Sequence, residues 1–400
     1  MGITESRKSR APALRNVMAL GFVSFFTDIS SDMCVSILPN FIIGLPGASR
    51  AILGLIEGVA EALSYGMRAV SGIFSDRFRR RKAIVFVGYA LSNVAKPLFS
   101  VAQTAFDALL IRIGDRVGKG VRTSPRDALL SESVSEKRIG LAFGLHRTLD
   151  QSGAILGPIL ASALILLLGF TARDIFWLSF IPGVAALLIL ITFVKERVSD
   201  SAGKAKLPRR VGTVLTRRFA LLLLIVGVFS IGAFNFSFIL LRAKEAGVPE
   251  GLVPVVYAVI NVAHTIIAIP AGLLSDKIGK EKVLLMGYGT FLASAVLFSG
   301  SLGGPVYAFL IAVVYGVYAG IVETVQRALI PGYAPNHLRG TAYGLYYMVV
   351  GGSSLVANMA FGTIWDYLGL AIAASYSVTI SALAIAGMMV FLRFVRSKPK

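Results

Sequence analysis

The sequence predicts an all-α membrane protein, with twelve transmembrane helices in two related six-helix bundles. Three observations lead there. The 400 residues are 56% hydrophobic and only 15% charged, where about 25% charged is usual for soluble domains. Apolar runs of about 20 residues, enough to cross a bilayer, recur along the whole chain. Lys and Arg collect between those runs, so the net charge of +19 reads as membrane topology and not as a nucleic-acid surface.

The spans are expected at roughly 16–42, 50–75, 83–101, 104–123, 139–168, 173–194, 218–243, 250–275, 283–302, 305–328, 339–368 and 370–395. The basic N-terminus leads into an apolar run that is too long for a signal peptide and has no small-residue cleavage site. It is read as a retained first helix. The fourth span lies in IRIGDRVGKGVRTSPRDALL (111–130), which hydropathy alone would reject. Without it, the basic loop 77–82 and the basic segment 195–210 would fall on opposite sides of the membrane. With it, about 30 of the 40 Lys and Arg fall on the side of both termini, about 4 on the other side and about 6 within spans, as the positive-inside rule requires. Both termini are therefore expected in the cytoplasm and the chain in the cytoplasmic (inner) membrane. The helix is expected to end near residue 123, leaving Arg122 and Arg126 to reach headgroups. The expected division is 1–194 and 218–400 as bundles, with 195–217 as a cytoplasmic linker.

The halves repeat at an offset of about 200 residues. GIFSDRFRRRK at 72 aligns with GLLSDKIGKEK at 272, and GLAFGL at 140 with GTAYGL at 340. Gly120 likewise meets Gly320. One offset serving three separated motifs argues for two parallel six-helix repeats, an architecture that binds substrate near the midplane.

Those motifs carry a resemblance to the major facilitator superfamily over nearly the whole chain. The two SD-containing segments resemble its signature loop between helices 2 and 3 and the copy between helices 8 and 9. The first departs from the pattern with Arg79 where glycine is usual, and the second keeps Gly279. Arg116 with Gly120 resembles the fourth-helix motif. Gly153 with Gly157-Pro158 resembles part of a fifth-helix motif associated with exporters. The resemblance implies a central cavity lined by helices 1, 4, 7 and 10, with helices 3, 6, 9 and 12 outside. Spans 6, 9 and 12 are almost purely apolar, which agrees; span 3 departs with Asn93 and Lys96-Pro97. Gly72, Asp76 and Arg77, with Gly272, Asp276 and Lys277, are the candidate cytoplasmic gate. A carboxylate there can meet a helix N-terminus or a basic side chain.

Embedded charge marks the candidate site. Asp28 and Asp32, then Glu57 and Glu61, recur at i, i+4 and so share a face. Arg112, Asp115, Arg116 and Lys119 lie along one side of span 4, and His146, Arg147 and Asp150 within one turn of span 5. A charge at the bilayer centre costs about 2.5–3.5 kcal/mol, so three lone cations would cost about 8–10 kcal/mol, comparable to a whole domain's stability. They must be paired or hydrated, and the acids of spans 1, 2, 4 and 5 are the available partners. The second half is polar and aromatic, with Asn235, Asn261, His264, Glu323 and several tyrosines. The ionic half is expected to hold the coupling charges, and the other half to shape the pocket. Arg116 reads as a structural or proton-linked residue rather than a direct ligand. His146 reads equally as a titrating group or as a hydrogen-bonded structural one.

The expected function is secondary active transport of a small molecule by alternating access, with proton-coupled export as the leading form. Uptake of an organic anion, flipping of an anionic lipid, and a membrane sensor on a transporter scaffold are the alternatives. No phosphate-binding loop of the G-x-x-x-x-G-K-[S/T] type is present. The single cysteine, Cys34, and three histidines offer neither a disulfide nor a metal cluster, so no cofactor, no metal and no enzymatic activity are expected. The expected partners are a small-molecule substrate, protons and the lipid bilayer, and the chain is expected to act as a monomer.

Arg116→Ala is expected to abolish transport while the protein still reaches the membrane. Transport activity alongside membrane abundance checks this. An active variant would make this charge scaffold.

Overall fold

A computed structural model describes residues 10–78, 80–135, 138–196, 214–300, 304–334 and 338–396. The described residues form helices α1 (Arg10–Val35), α2 (Leu38–Ile43), α3 (Arg50–Phe78), α4 (Arg81–Leu98), α5 (Ala105–Glu132), α6 (Ile139–Leu168), α7 (Ala172–Leu178), α8 (Phe180–Phe193), α9 (Arg217–Gly232), α10 (Phe236–Glu245), α11 (Val253–Ile278), α12 (Lys280–Ser299), α13 (Pro305–Leu329), α14 (Arg339–Leu368) and α15 (Leu370–Arg396). Three pairs, α1–α2, α7–α8 and α9–α10, are single spans interrupted by short breaks, so the fifteen helices make twelve spans. Ten of these are long and apolar enough to cross a membrane. The remaining two, α3 and α5, have the length but carry the embedded charge.

The chain forms two compact units. One comprises residues 1–38 and 66–205, the other residues 39–65 and 206–400. The sequence places the division at 195–217. Residues 39–65, however, group with the second unit, so the continuous helix α3 divides between units at Tyr65–Gly66. Residues 197–213 of the expected linker lie outside the described residues.

In the first unit α1 packs on α6 and α8, and α4 packs on α5. Glycines set both main seams. A Cβ on Gly118 of α5 would lie 2.7 Å from the Gly88 carbonyl oxygen and from the Ser92 nitrogen of α4, and one on Gly88 would lie 2.8 Å from the Gly118 carbonyl oxygen. The backbones are thus in contact, as small residues permit in membrane helices. On the other seam, a Cβ on Gly157 of α6 would lie 2.7 Å from the Ile29 carbonyl of α1, and Gly153 meets the Phe25 carbonyl even more closely. A capping box at Thr104 starts α5: Asp107 N–H donates to Thr104 Oγ1 at 3.2 Å, and Thr104 N–H donates to Asp107 Oδ2 at 2.9 Å. The helix runs through Pro125 to Glu132, nine residues past the expected end at 123.

In the second unit α13 packs on α11 and α12, and α9 on α14 and α15. Aromatic packing fills its core. Phe229 stacks on Tyr288 at 3.7 Å, and Phe234 meets Phe298, Phe361 and Tyr315. The first part of α3 lies in this unit against α14, through Gly54 on the Asn358 carbonyl and Gly362 on the Arg50 carbonyl. At that end Arg50 Nη2 is 2.5 Å from Glu245 Oε1, and Arg50 Nη1 is 3.4 Å from Asp366 Oδ1.

The repeat is visible inside each unit. A Cβ on Gly72 would meet Ser124 at 3.5 Å, and a Cβ on Gly272 would meet Thr324 at 3.7 Å. Both residues of the pair are offset by 200. These are ordinary contacts, whereas the approaches at Gly118, Gly153 and Gly157 are tight; a Cβ on Gly114 would lie 4.0 Å from Ala95.

Gly118→Val is expected to lower stability by about 1–3 kcal/mol through overpacking against backbone. Gly114→Ala should be close to neutral. Thermal denaturation of the detergent-purified protein checks both. Equal midpoints for Gly118→Val and the parent would contradict the packing described.

Candidate functional site

The site in the first unit is organised by α5. Arg112, Asp115, Lys119 and Arg122 recur at helical spacing and make one stripe, and Tyr89, Ser92 and Lys96 make a matching stripe on α4. The glycine seam presses these stripes together. Asp115, 7% exposed, is the focus. Ser92 Oγ donates to its Oδ1 at 2.5 Å, Arg112 Nη1 lies 3.4 Å from Oδ2, and Arg116 Nε lies 3.7 Å from Oδ2. Lys96 also faces it and donates to Ser30 Oγ at 2.5 Å and to Ser31 Oγ at 3.4 Å on α1. Arg112 is 1% and Lys96 2% exposed. Pairing of such groups offsets a desolvation cost of several kcal/mol per ion only where geometry and added hydrogen bonds are good.

A second cluster joins α1, α5 and α6. The close Gly153–Phe25 and Gly157–Ile29 contacts bring Asp28 of α1 and Asp150 of α6 within electrostatic reach of each other. Lys119 faces Asp28 and Asp32. Arg147 Nη1 donates to Asp150 Oδ2 at 3.0 Å, and Arg126 Nη1 lies 3.9 Å from Asp150 Oδ1. Arg126 also donates to Asp127 Oδ1 from Nε at 3.0 Å and from Nη2 at 2.9 Å. His146 is buried, with Nε2 2.8 Å from Ser24 Oγ, which lies 3.3 Å from the Tyr89 hydroxyl. The imidazole is therefore one member of a packed polar network.

Arg122 and Arg126 correct the sequence expectation. They do not leave the bundle for headgroups. Arg122 is 4% exposed and stacks over Tyr89 at 4.5 Å, a cation–π geometry. Arg126 is paired as above. The physical reason is that α5 continues as a helix to Glu132, so their side chains stay on its packed face. Arg122 follows Asp115 by seven residues, a spacing that would have placed it on the stripe from sequence alone.

The other expected residues lie in the second unit. Glu57, 1% exposed, and Glu61 are on the part of α3 that packs there. Glu61 Oε1 accepts from Asn235 Nδ2 at 3.2 Å. Asn235 occupies the break between α9 and α10 and caps α10, with Oδ1 accepting from Ser237 N–H at 2.9 Å while its own N–H donates to Asn358 Oδ1 at 3.0 Å. A discontinuous helix with polar groups at the break is a recognised way of building a transport site. The tyrosines Tyr315 and Tyr318 pack edge to face at 5.2 Å beside it, and Tyr315 donates to the Phe234 carbonyl at 3.0 Å. Glu323 pairs with Arg327 at 2.8 Å. Asn261 is buried on α11. Asn358 was not expected; its signal, a lone Asn in the apolar run of span 11, is weak. The structure thus gathers Asp28, Asp32, Arg112, Asp115, Arg116, Lys119, His146, Arg147 and Asp150 in one unit and Glu57, Glu61, Asn235, Asn261 and Glu323 in the other. The two span-2 acids expected as partners for the α5 cations group with the second unit.

Of the gate residues, the side chains of Asp76 and Arg77 lie outside the described ones, as does Arg79. Asp276 and Lys277 are exposed at the end of α11. Gly279 has φ +99, a conformation that favours glycine, which explains why the second motif keeps it. Beside it, the Tyr333 hydroxyl donates to Glu281 Oε1 at 2.7 Å, and burial together with that carboxylate raises the phenol above its usual range.

Comparison with known proteins agrees with this architecture. The profile of the Major Facilitator Superfamily matches residues 20–358. An uncharacterized MFS-type transporter of Methanocaldococcus jannaschii, MJ1317, is 36% identical over 88% of each chain. The multidrug resistance protein MdtG of Dickeya zeae is 26% identical over 68% of each. The structure of the nucleoside transporter NupG superposes with a TM-score of 0.77 over 96% of this chain and 99% of that one, at 13% identity, a likeness of fold alone. With its twelve spans, its two-unit repeat and these matches, the chain belongs to the Major Facilitator Superfamily and is a secondary transporter of a small molecule.

Proposed function

We propose that this transporter couples export of its substrate to proton movement, with the Asp28–Asp150 pair as the proton-carrying group. The closeness of the two carboxyls, set by the seating of Gly153 and Gly157 on α1, supports the reading. A pair that shares one proton avoids placing two negative charges together. Two negative charges in one buried place repel, and a neighbouring cation relieves that repulsion. Lys119 beside Asp28, and Arg147 and Arg126 beside Asp150, are the cations that would accept the pair when the proton leaves. The pair spans α1 and α6, so any shift between those helices changes its proton affinity. That is the physical content of coupling.

Two features favour export. Gly153 and Gly157, the exporter-associated positions, seat directly on the α1 backbone next to Asp28. The relative from Dickeya zeae is named a multidrug resistance protein. Among the described residues the ionic cluster and the family assignment offer no role for a nucleotide, a metal or a catalytic nucleophile.

In proteoliposomes with an imposed pH gradient, a panel of labelled small molecules of either charge sign should yield compounds moved against the proton gradient. Asp28→Asn is expected to abolish gradient-driven movement and to leave downhill exchange of the same compounds. Retention of gradient-driven transport by both Asp28→Asn and Asp150→Asn would overturn the assignment.

A further inference from the structure

The seam between α4 and α5 holds more positive charge than the acids on it can match. Lys96, Arg112, Arg116 and Arg122 gather along it, and among the described residues Asp115 is the one acid on the facing stripes of α4 and α5. Lys96 is otherwise met by the neutral hydroxyls of Ser30 and Ser31. Asp28 influences it more weakly than Asp115 does and is already engaged with Asp150 and Lys119. Arg122 faces the ring of Tyr89, and its Nη1 is buried with no hydrogen-bond partner among the described residues. The neighbouring clusters do not spare an acid: Asp150 serves Arg147 and Arg126, and Asp127 serves Arg126. Buried cations on this scale call for negative charge supplied from outside the chain.

We propose that this seam binds an oxyanion, a carboxylate or phosphate group, between Arg116, Arg122 and Lys96 beside Asp115. The chemistry favours an oxyanion because a planar guanidinium matches two oxygens at once. Arg116 is the entrance, being the least buried of the set, at 13% side-chain exposure against 1% for Arg112. The same offset of 200 residues puts Ala312, Tyr315, Gly316, Ala319 and Val322 of α13 where α5 has Arg112, Asp115, Arg116, Lys119 and Arg122. The helical scaffold therefore does not need these charges to form. The site names a ligand class for the transporter proposed above, but its residues differ from the Asp28–Asp150 pair, so either can fail alone.

The test uses the full-length protein purified in detergent, with sodium phosphate replacing sodium chloride at constant ionic strength. Phosphate should raise the denaturation midpoint of the parent and of Asp28→Asn. Arg122→Gln and Lys96→Gln should weaken the apparent phosphate affinity about tenfold or more, the loss of one charge-assisted hydrogen bond. Arg122→Lys should recover part of it. If Arg122→Gln or Lys96→Gln fails to fold, Arg116→Gln, at the more open position, carries the comparison. An equal phosphate response in the parent and in every neutralised variant would be a general salt effect and would overturn the site. The source of the anion follows from proteoliposomes loaded with labelled phosphate. Protein-dependent release supports an anionic cargo, and retention with the site-specific stability gain supports a resident ion.

Discussion

Buried positive charge on α5 is the constraint to which the rest of the first unit answers. A helix that brings Arg112, Arg116, Lys119, Arg122 and Arg126 into a membrane bundle cannot face lipid. It has to turn them toward acids, hydroxyls and aromatic faces on its neighbours. Asp115, itself held by Ser92, serves Arg112 and Arg116, Asp28 and Asp32 serve Lys119, Tyr89 serves Arg122, and Asp127 and Asp150 serve Arg126. The contacts that cross between helices, Ser92–Asp115, Tyr89–Arg122 and Arg126–Asp150, need backbones close together. That is the role of Gly88 and Gly118 on one seam and of Gly153 and Gly157 on the other. The glycines and the charges form one device: without the close approach the partners on α1, α4 and α6 would not reach, and without the charges the approach would serve packing alone.

The second unit shows the same scaffold without the ionic stripe that α5 carries in the first. Gly287 of α12 faces Ile321 and Val322 of α13, much as Gly88 of α4 faces Arg122 of α5. In place of Asp115 stands Tyr315, inside an aromatic core with Phe234, Phe229 and Tyr288. Its polar elements cluster at the α9–α10 break, where Asn235, Asn358 and Glu61 satisfy one another. Two units built on one plan have therefore taken different chemistry. One holds a buried ionic cluster. The other offers hydroxyls, amides and rings, suited to shape and hydrogen-bond recognition.

Much of this was legible in the sequence because its physics is local. Span length, the Lys and Arg asymmetry and the 200-residue offset need no tertiary information, and the helices at 139–168 and 339–368 carry the expected bounds. The i, i+4 acids and the α5 stripe follow from helical periodicity alone. Other features depend on packing between helices. The pairing of Arg126 with Asp150 rests on α6 lying beside α5. The grouping of residues 39–65 with the second unit rests on glycine contacts with α14. The pairing of Asp28 with Asp150 depends on a helix–helix distance that neither helix encodes by itself. Asn93 is similar: it is buried against Gly183 of α8, and span 3 looked anomalous only because that partner was out of view.

The proposed coupling places one shared proton between Asp28 of α1 and Asp150 of α6, and infrared spectroscopy reads it directly. At neutral pH the purified protein should show the carbonyl stretch of a protonated carboxylic acid in a buried setting, shifted on transfer to heavy water and lost in Asp28→Asn. A parent spectrum without that band, or a band that persists unchanged in Asp28→Asn, would contradict the account.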